Sequence, residues 1–513
     1  MLVTKMAGNE VIQLLSELTI SNDSKKLLSD LKTLLIALTT SQGLGSHKHL
    51  ELNGLFDCIN SSDSEQVEIA VDTLGLLLPF ISAQEVVERF SAQLLRGLNH
   101  PHEKVRSLVL KLVLTCAESE SGIVSVITNH SILLSVVRCL GDNSLGVVKI
   151  SSCVLVKICG QDAGLNAVFS NESVPVMQEV MSKSDIYRFN VYEFIVQVCL
   201  LGDMSLGVVS NSGLLDRLTG EVTTGDILTQ LNALELLTPL VLNPSGMVLL
   251  DRGGVIAKLQ YLLSLAETDP MTALLMPGLI KFFGNMGHSR PRQMIKENSS
   301  VVVMILRLAA GSLDLGDPTL QLVAIQTVAH IGSSPAGKLA LAKFKTEMDE
   351  VMDVLGSRMR VAPTEQRICV LEALTQLFSL QIEYQTEELT GLLELWWASV
   401  GGVNLEKVVA VARQPFMDLH CAALGLLNTL ANMPWGQRLI CYEPGLIEYI
   451  LDRTTESEKL GKECKWTVVE TLVKSPSASS IFTENHMSQL EKYFNQGPFY
   501  VEAQVEVAVE GLN

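Results

Sequence analysis

The sequence predicts an all-α fold, a right-handed superhelical solenoid of about ten stacked helical repeats. Three observations carry this expectation. Apolar residues make up 47% of the 513 residues but aromatics only 5%, so the core must come from Leu, Val, Ile and Ala, which suits packed helices. A chain of this length exceeds the size at which a single core stops growing, which leaves several domains or a stacked array. The stretch "LLNTLANMPWGQRLICYEPGLIEYIL", Leu426 to Leu451, is an apolar helix, a Pro-Trp-Gly break and a second apolar helix, and its pattern recurs along the chain.

Each copy is marked by a Gly seven residues after a polar helix position. Thr115 pairs with Gly122, Lys157 with Gly164, Pro239 with Gly246, His330 with Gly337 and Thr429 with Gly436; Gln197 fits the register with Met204 in place of the Gly. The residue after the polar position is apolar (Cys116, Ile158, Val198, Leu240, Ile331, Leu430), and so is the one two before it (Val113, Leu155, Ile195, Leu237, Val328, Leu427). Five before, most are apolar again, and six before they tend to be small (Ser151, Ala233, Ala324, Ala423). Apolar positions three apart form one buried helix stripe. By pattern, Thr73, Asn285, Gln376 and Thr471 complete the column at spacings of 40 to 53 residues, the period of armadillo or HEAT repeats. One such hairpin cannot bury its stripe alone; stacked neighbours make a continuous core.

The breaks between copies are short and polar, as in "GDNS", "KSD" and "APTEQ". Longer irregular pieces are expected at 41–54, 287–293 and 401–416, the last accounting for the widest spacing. No linker is long or biased enough to separate domains, so residues 1–501 read as a single solenoid, with 1–60 as an N-terminal capping repeat. Residues 502–513, "EAQVEVAVEGLN", form an acidic tail of a composition compatible with disorder.

The net charge of −18 makes nucleic acid and anionic membrane poor partners, and no run reaches the length of a membrane span. Ten cysteines without a CxxC, mostly inside apolar helical runs, suit a reducing compartment; the cytoplasm is expected, with the nucleus also open. The first twenty residues lack the apolar core of a signal peptide. The best catalytic lookalike is "GSSPAGKL", Gly332 to Leu339, but Leu339 stands where a phosphate loop needs Ser or Thr, and a helix precedes it instead of a strand. His47 and His49, and His100 and His102, lack a third ligand at metal-site spacing. The four Trp residues read as packing groups. No enzyme activity, cofactor or metal is expected.

A binding face is expected where the stripe leaves one helix position out. Four residues before the polar column lies a second, mostly polar one, and i and i+4 share a helix face. The two columns give the candidate residues Lys111, Lys157, Glu193, Gln197, Glu235, Lys281, Asn285, Gln326, His330, Glu372, Gln376 and Thr429. In armadillo-type solenoids the last helix of each repeat lines the concave surface, so these residues would stack there as a ladder that grips a protein.

Several segments resemble a known family. "KSDIYRFNVYEFI" (183–195), "PGLIKFFGNMG" (277–287), "QPFMDLHCAALGLLNTLANMPWGQRL" (414–439), "GLIEYILDR" (445–453) and "QGPFYV" (496–501) are similar to the family of 26S proteasome non-ATPase regulatory subunit 5, over about residues 60 to 501. The resemblance implies a solenoid chaperone for assembly of the base of the proteasome regulatory particle. It implies that the chain, a monomer before binding, holds an ATPase ring subunit by its C-terminal small domain, in a module with a neighbouring ATPase and a large non-ATPase scaffold subunit, and leaves before the mature proteasome forms. It assigns no contact residue here. The alternative is another armadillo-type adaptor or a carrier of a protein or basic peptide. An importin-like carrier would want a regular Asn ladder, which the column lacks, and Lys157 and Lys281 would repel a basic peptide.

Overall fold

The computed structural model describes residues 2–18, 24–40, 52–61, 63–77, 83–266, 268–313, 317–401 and 404–501. The acidic tail and most of the 41–54 piece, with His47 and His49, lie outside the described residues. Among those residues the regular structure is helical, without a strand, as expected. Two compact units divide the chain, Met1–Thr224 and Gly225–Asn513.

In the first unit the helices Ser24–Thr40, Ser64–Leu77, Glu103–Cys116, Leu145–Cys159 and Asp185–Cys199 pack each on the next. In the second unit Ile227–Leu242, Met276–Ser289, Pro318–Ile331, Thr364–Phe378, Met417–Ala431 and Lys459–Lys474 do the same, and Glu484–Gln496 covers the last of them. These are the helices that carry the polar column, with one addition: Ser24–Thr40 extends the first stack by a copy that lacks the Gly mark. The predicted stripe is their core. Val113, Leu155, Ile195, Leu237, Leu427, Ile158, Val198, Leu240 and Leu430 are all fully buried, and so are the small residues Ser151, Ala233, Ala324 and Ala423. Small side chains let neighbouring helices approach closely, and large ones on the same stripe fill the layers between repeats.

The recurrent Gly has a specific steric cause. In each marked copy it is the third residue of the helix that follows, after the N-caps Ser119, Gln161, Asn243, Ser334 and Met433. A Cβ at Gly122, Gly164, Gly246, Gly337 or Gly436 would overlap the backbone carbonyl oxygen of Cys116, Ile158, Leu240, Ile331 or Leu430, respectively. Helical Cβ atoms point toward the N-terminus, here straight at the end of the preceding helix. Four of these carbonyls also accept the N-cap backbone N–H, at 3.0–3.4 Å. The turn is thereby closed by its own backbone, and three N-cap side chains (Ser119, Asn243, Ser334) reach back to the N–H of the Gly. After Asp185–Cys199 the turn is one residue longer, with Gly202 as N-cap. The buried third residue is then Ser205, and Met204 is exposed, so the small residue and not Met204 occupies the place of the Gly.

Two pieces expected to be irregular are helical: Pro291–Glu297 and Glu406–Ala412 are seven-residue helices. The tryptophans pack as anticipated. Trp397 meets Phe378 edge-on at 5.5 Å and lies 6.3 Å from Trp435, which ties successive hairpins of the second unit, and Trp466 stacks on Phe494 at 5.5 Å.

The steric account separates two glycines of one hairpin. Gly436→Ala places a methyl on the Leu430 carbonyl and should cost at least about 3 kcal/mol. Gly425, inside the helix Met417–Ala431, has nothing within 4 Å of its Cβ position, so Gly425→Ala should stabilise by about 0.5–1 kcal/mol. Thermal melts of the two variants test this; equal melting temperatures would contradict it.

Candidate protein-binding face

Most of the ladder residues reach the surface of their units. Lys111, Lys157, Glu193, Glu235, Lys281, Gln326, Glu372 and Gln376 are exposed, and Gln197, Asn285 and His330 are half-buried. Three of the i, i+4 pairs are hydrogen-bonded, two of them through a backbone carbonyl. Thr115 Oγ1 donates to the Lys111 carbonyl at 3.1 Å and Asn285 Nδ2 to the Lys281 carbonyl at 2.9 Å. Gln197 Nε2 donates to Glu193 Oε1 at 3.4 Å, and its Oε1 accepts from Ser152 on the neighbouring helix at 3.2 Å. Among the described residues, no ion pair engages Lys111, Lys157, Glu193, Glu235, Lys281 or Glu372. Exposed charges without an internal partner are available to an external one.

Thr429 departs from the expectation. It is 8% exposed and faces inward, on a helix packed between Thr364–Phe378 and Lys459–Lys474. The accessible line in this repeat runs through Cys421, Gly425 and Asn428. Asn428 Oδ1 accepts from Thr471 Oγ1 at 2.6 Å, so the polar link passes through Asn428 and not through Thr429. His330 is also withdrawn: its ring stacks on His288 at 4.2 Å, and burial, with His288 beside it, lowers its pKa. His288 Nδ1 lies 3.0 Å from the His330 carbonyl, so this rung is an inter-repeat lock more than a free side chain.

The lookalike motif folds as a turn between two helices. Lys338 is fully buried and donates to the Gly332 carbonyl at 2.6 Å, where it satisfies the end of the helix Pro318–Ile331. A phosphate-binding Lys points outward from its loop; this one points into the protein. His102 caps the helix Glu103–Cys116 by accepting from Lys104 N, and His100 Nδ1 accepts from His102 N at 3.1 Å. All three residues serve the backbone around them.

A buried charged network in the second unit escaped sequence reasoning. Glu456 Oε1 lies 3.1 Å from Lys465 Nζ, and Oε2 lies 3.0 Å from His420 Nε2. Lys465 also donates to the Tyr449 carbonyl at 2.8 Å and sits 3.9 Å from the Tyr449 ring centroid, while the Tyr449 hydroxyl donates to the Ala412 carbonyl at 2.6 Å. Burial lowers the Lys465 pKa, against the raising effect of Glu456. The network staples the loop at 452–456 to two ladder helices. Its partners are far apart in sequence and in no motif, so no local signal could have found it.

Burial without a carboxylate lowers the pKa of Lys338 from 10.5 to about 8. The unfolded chain therefore holds a proton that the folded chain has lost between these two values, and stability must rise with pH through that window. Relative to Lys338→Met, the wild-type chain should gain up to about 3 kcal/mol between about pH 8 and 10.5. Urea unfolding of both proteins across that range measures it, and parallel pH profiles would refute it.

With this geometry in place, kinship can be stated. The family model described as the proteasome non-ATPase 26S subunit matches residues 7–513. The chain is 32% identical over 503 residues to 26S proteasome non-ATPase regulatory subunit 5 of Bos taurus, covering 98% of this chain and 99% of the relative. It is 32% identical over 463 residues to the Homo sapiens protein of the same name, covering 90% and 91%, and 25% identical to the Drosophila melanogaster one, covering 90% of each. Among solved structures, importin beta superposes with a TM-score of 0.54 at 14% identity, over 96% of this chain and 65% of that one. Yeast importin-beta (Kap95p) gives 0.52 at 14% identity, over 95% and 61%. The structural likenesses speak for an armadillo/HEAT-like helical-repeat fold, and the sequence likenesses go further: the chain belongs to the proteasome non-ATPase 26S subunit family.

Proposed function

We propose that this protein is a non-enzymatic chaperone for assembly of the base of the proteasome regulatory particle. It holds an ATPase ring subunit through that subunit's C-terminal small domain, with a large non-ATPase scaffold subunit as an indirect partner. The observation that carries the reading is near-full-length kinship with proteins named regulatory subunit 5, on stacked helices whose ladder leaves charges of both signs exposed and, among the described residues, in no ion pair.

The mechanism follows from stacking. A face built on packed helices is ordered before it binds, so little conformational entropy is lost on association. Lys111, Lys157 and Glu193 in the first unit, and Glu235, Lys281 and Glu372 in the second, offer charges of both signs within each unit, which selects a partner by charge pattern more than by total affinity. A bound chaperone of this size covers surfaces that the ATPase subunit needs in the finished ring and against the core particle. Release comes when those contacts compete. The protein acts as a monomer in the cytoplasm and nucleus, without nucleic acid. The importin-like reading has the fold in its favour, but exposed Lys111, Lys157 and Lys281 disfavour a basic cargo peptide.

Affinity purification of the tagged full chain should recover base ATPase subunits without peptide-cleaving proteasomes; recovery of intact active particles would contradict the proposal. Charge reversal at Lys281 and Glu372 together should reduce ATPase recovery by about tenfold with the melting temperature unchanged. Undiminished recovery would remove these two residues from the binding face.

A further inference from the structure

The first unit carries a local reversal of charge. The helices Glu103–Cys116 and Leu145–Cys159 hold five basic residues (Lys104, Arg106, Lys111, Lys149, Lys157) and one acid, Glu103, in a chain of net charge −18. Two of the five are engaged: Arg106 pairs with Asp142 at 2.6 Å and Lys104 with Glu68 at 2.8 Å. Lys111, Lys149 and Lys157 are exposed and, among the described residues, in no ion pair. A groove of about 1000 Å³ runs between the stacked helices, lined by Ile36, Val71, Leu76, Leu108 and Leu112 and edged by Lys111; the helix that carries Lys149 and Lys157 reaches it at Gly146. Gly75 helps to open it, facing Leu108 Cδ1 across 3.6 Å from where a Cβ would stand. Leu145, 62% exposed, stands next to the groove-lining residues Ser144 and Gly146.

We propose that this face docks an acidic amphipathic helix of a protein partner, its apolar side chains in the groove and its carboxylates on Lys111, Lys149 and Lys157. Charge and shape select this occupant together. The helix Glu103–Cys116 has 14 residues and so spans about 21 Å, the length over which an amphipathic helix sets apolar anchors at i, i+3, i+4 and i+7. Carboxylates beside an apolar floor meet the lysines where water screens them least. A nucleic acid would bring no apolar side chains for the groove, and the molecule's overall field repels polyanions. The inference rests on the reading of the ladder as a protein-binding face, and it adds the chemistry of what the N-terminal part of that face accepts.

The test is fluorescence anisotropy with a labelled helical peptide of about 18 residues, Leu on one face and Glu on the other, against its Glu→Lys counterpart. The acidic peptide should bind the full chain at least about tenfold tighter than the basic one, and more weakly as salt rises. Lys111→Glu with Lys157→Glu should abolish that preference, and Leu108→Gln should weaken binding about fivefold with the circular dichroism spectrum unchanged. Equal affinity for the two peptides, or no response to these substitutions, overturns the proposal. So does a tenfold gain in probe affinity on deletion of residues 502–513, which would make the chain's own acidic tail the occupant, or a dimer in sedimentation that Lys111→Glu dissolves, which would make it a second copy. If ATPase recovery survives while the peptides are not distinguished, this inference alone fails. If the peptides are distinguished while ATPase recovery fails, the chaperone reading alone fails.

Discussion

In five of the repeats the fold depends on one close approach, between the end of the ladder helix and the first turn of the helix after it. A backbone carbonyl sits where the Cβ of any other residue would be, at Gly122, Gly164, Gly246, Gly337 and Gly436. The contact fixes how sharply the chain reverses, and the reversal fixes which stripe of the next helix turns inward. An error in that angle would propagate, because each repeat packs only on its neighbours and stability accumulates through nearest-neighbour interfaces. Where the turn gains a residue, after Cys199, the third residue of the next helix is Ser205, small and buried, and Met204 is exposed. In the five marked copies the rule is therefore steric and belongs to the third residue of the following helix.

That rule explains why so much of the architecture was legible. Stripe and Gly are both local: one recurs with the helical turn, the other at a fixed offset, and each names a buried or a crowded atom. The misreadings have equally definite causes. The copy at Ser24–Thr40 lacks the Gly mark and so gave no register. The pieces 287–293 and 401–416 hold Gly, Pro and Arg, and they end or contain helices too short for a periodic signal. Thr429 sits at the correct offset yet is buried, and burial by tertiary packing has no trace in the local sequence. The network of His420, Glu456 and Lys465 joins residues that no motif links, held in place only by the packing of two ladder helices.

The same logic divides the polar residues into two kinds. Some serve the backbone: Lys338, His100, His102 and the N-cap side chains saturate helix ends, and Lys465 and Glu456 neutralise one another in the interior. Others are left over once the interior is satisfied. Lys111, Lys157, Glu193, Glu235, Lys281 and Glu372 stand on helices whose stability comes from the opposite face, so their identity is free to answer to a partner. A helical-repeat protein can thus change what it grips without changing how it stands. The basic, groove-lined part of the first unit, in an otherwise acidic chain, is the place where that freedom has left the strongest physical mark.

The central claim is that partner binding uses the ladder helices and not the helices between them. Lysine acetylation rates, read by mass spectrometry for the free chain and for its purified complex with base ATPase subunits, test it residue by residue. The account predicts several-fold slower modification of Lys111, Lys157 and Lys281 in the complex, with Lys183 and Lys345, on the intervening helices Ser173–Lys183 and Lys345–Val361, unchanged. Protection of Lys183 and Lys345 with the three ladder lysines still reactive would contradict it.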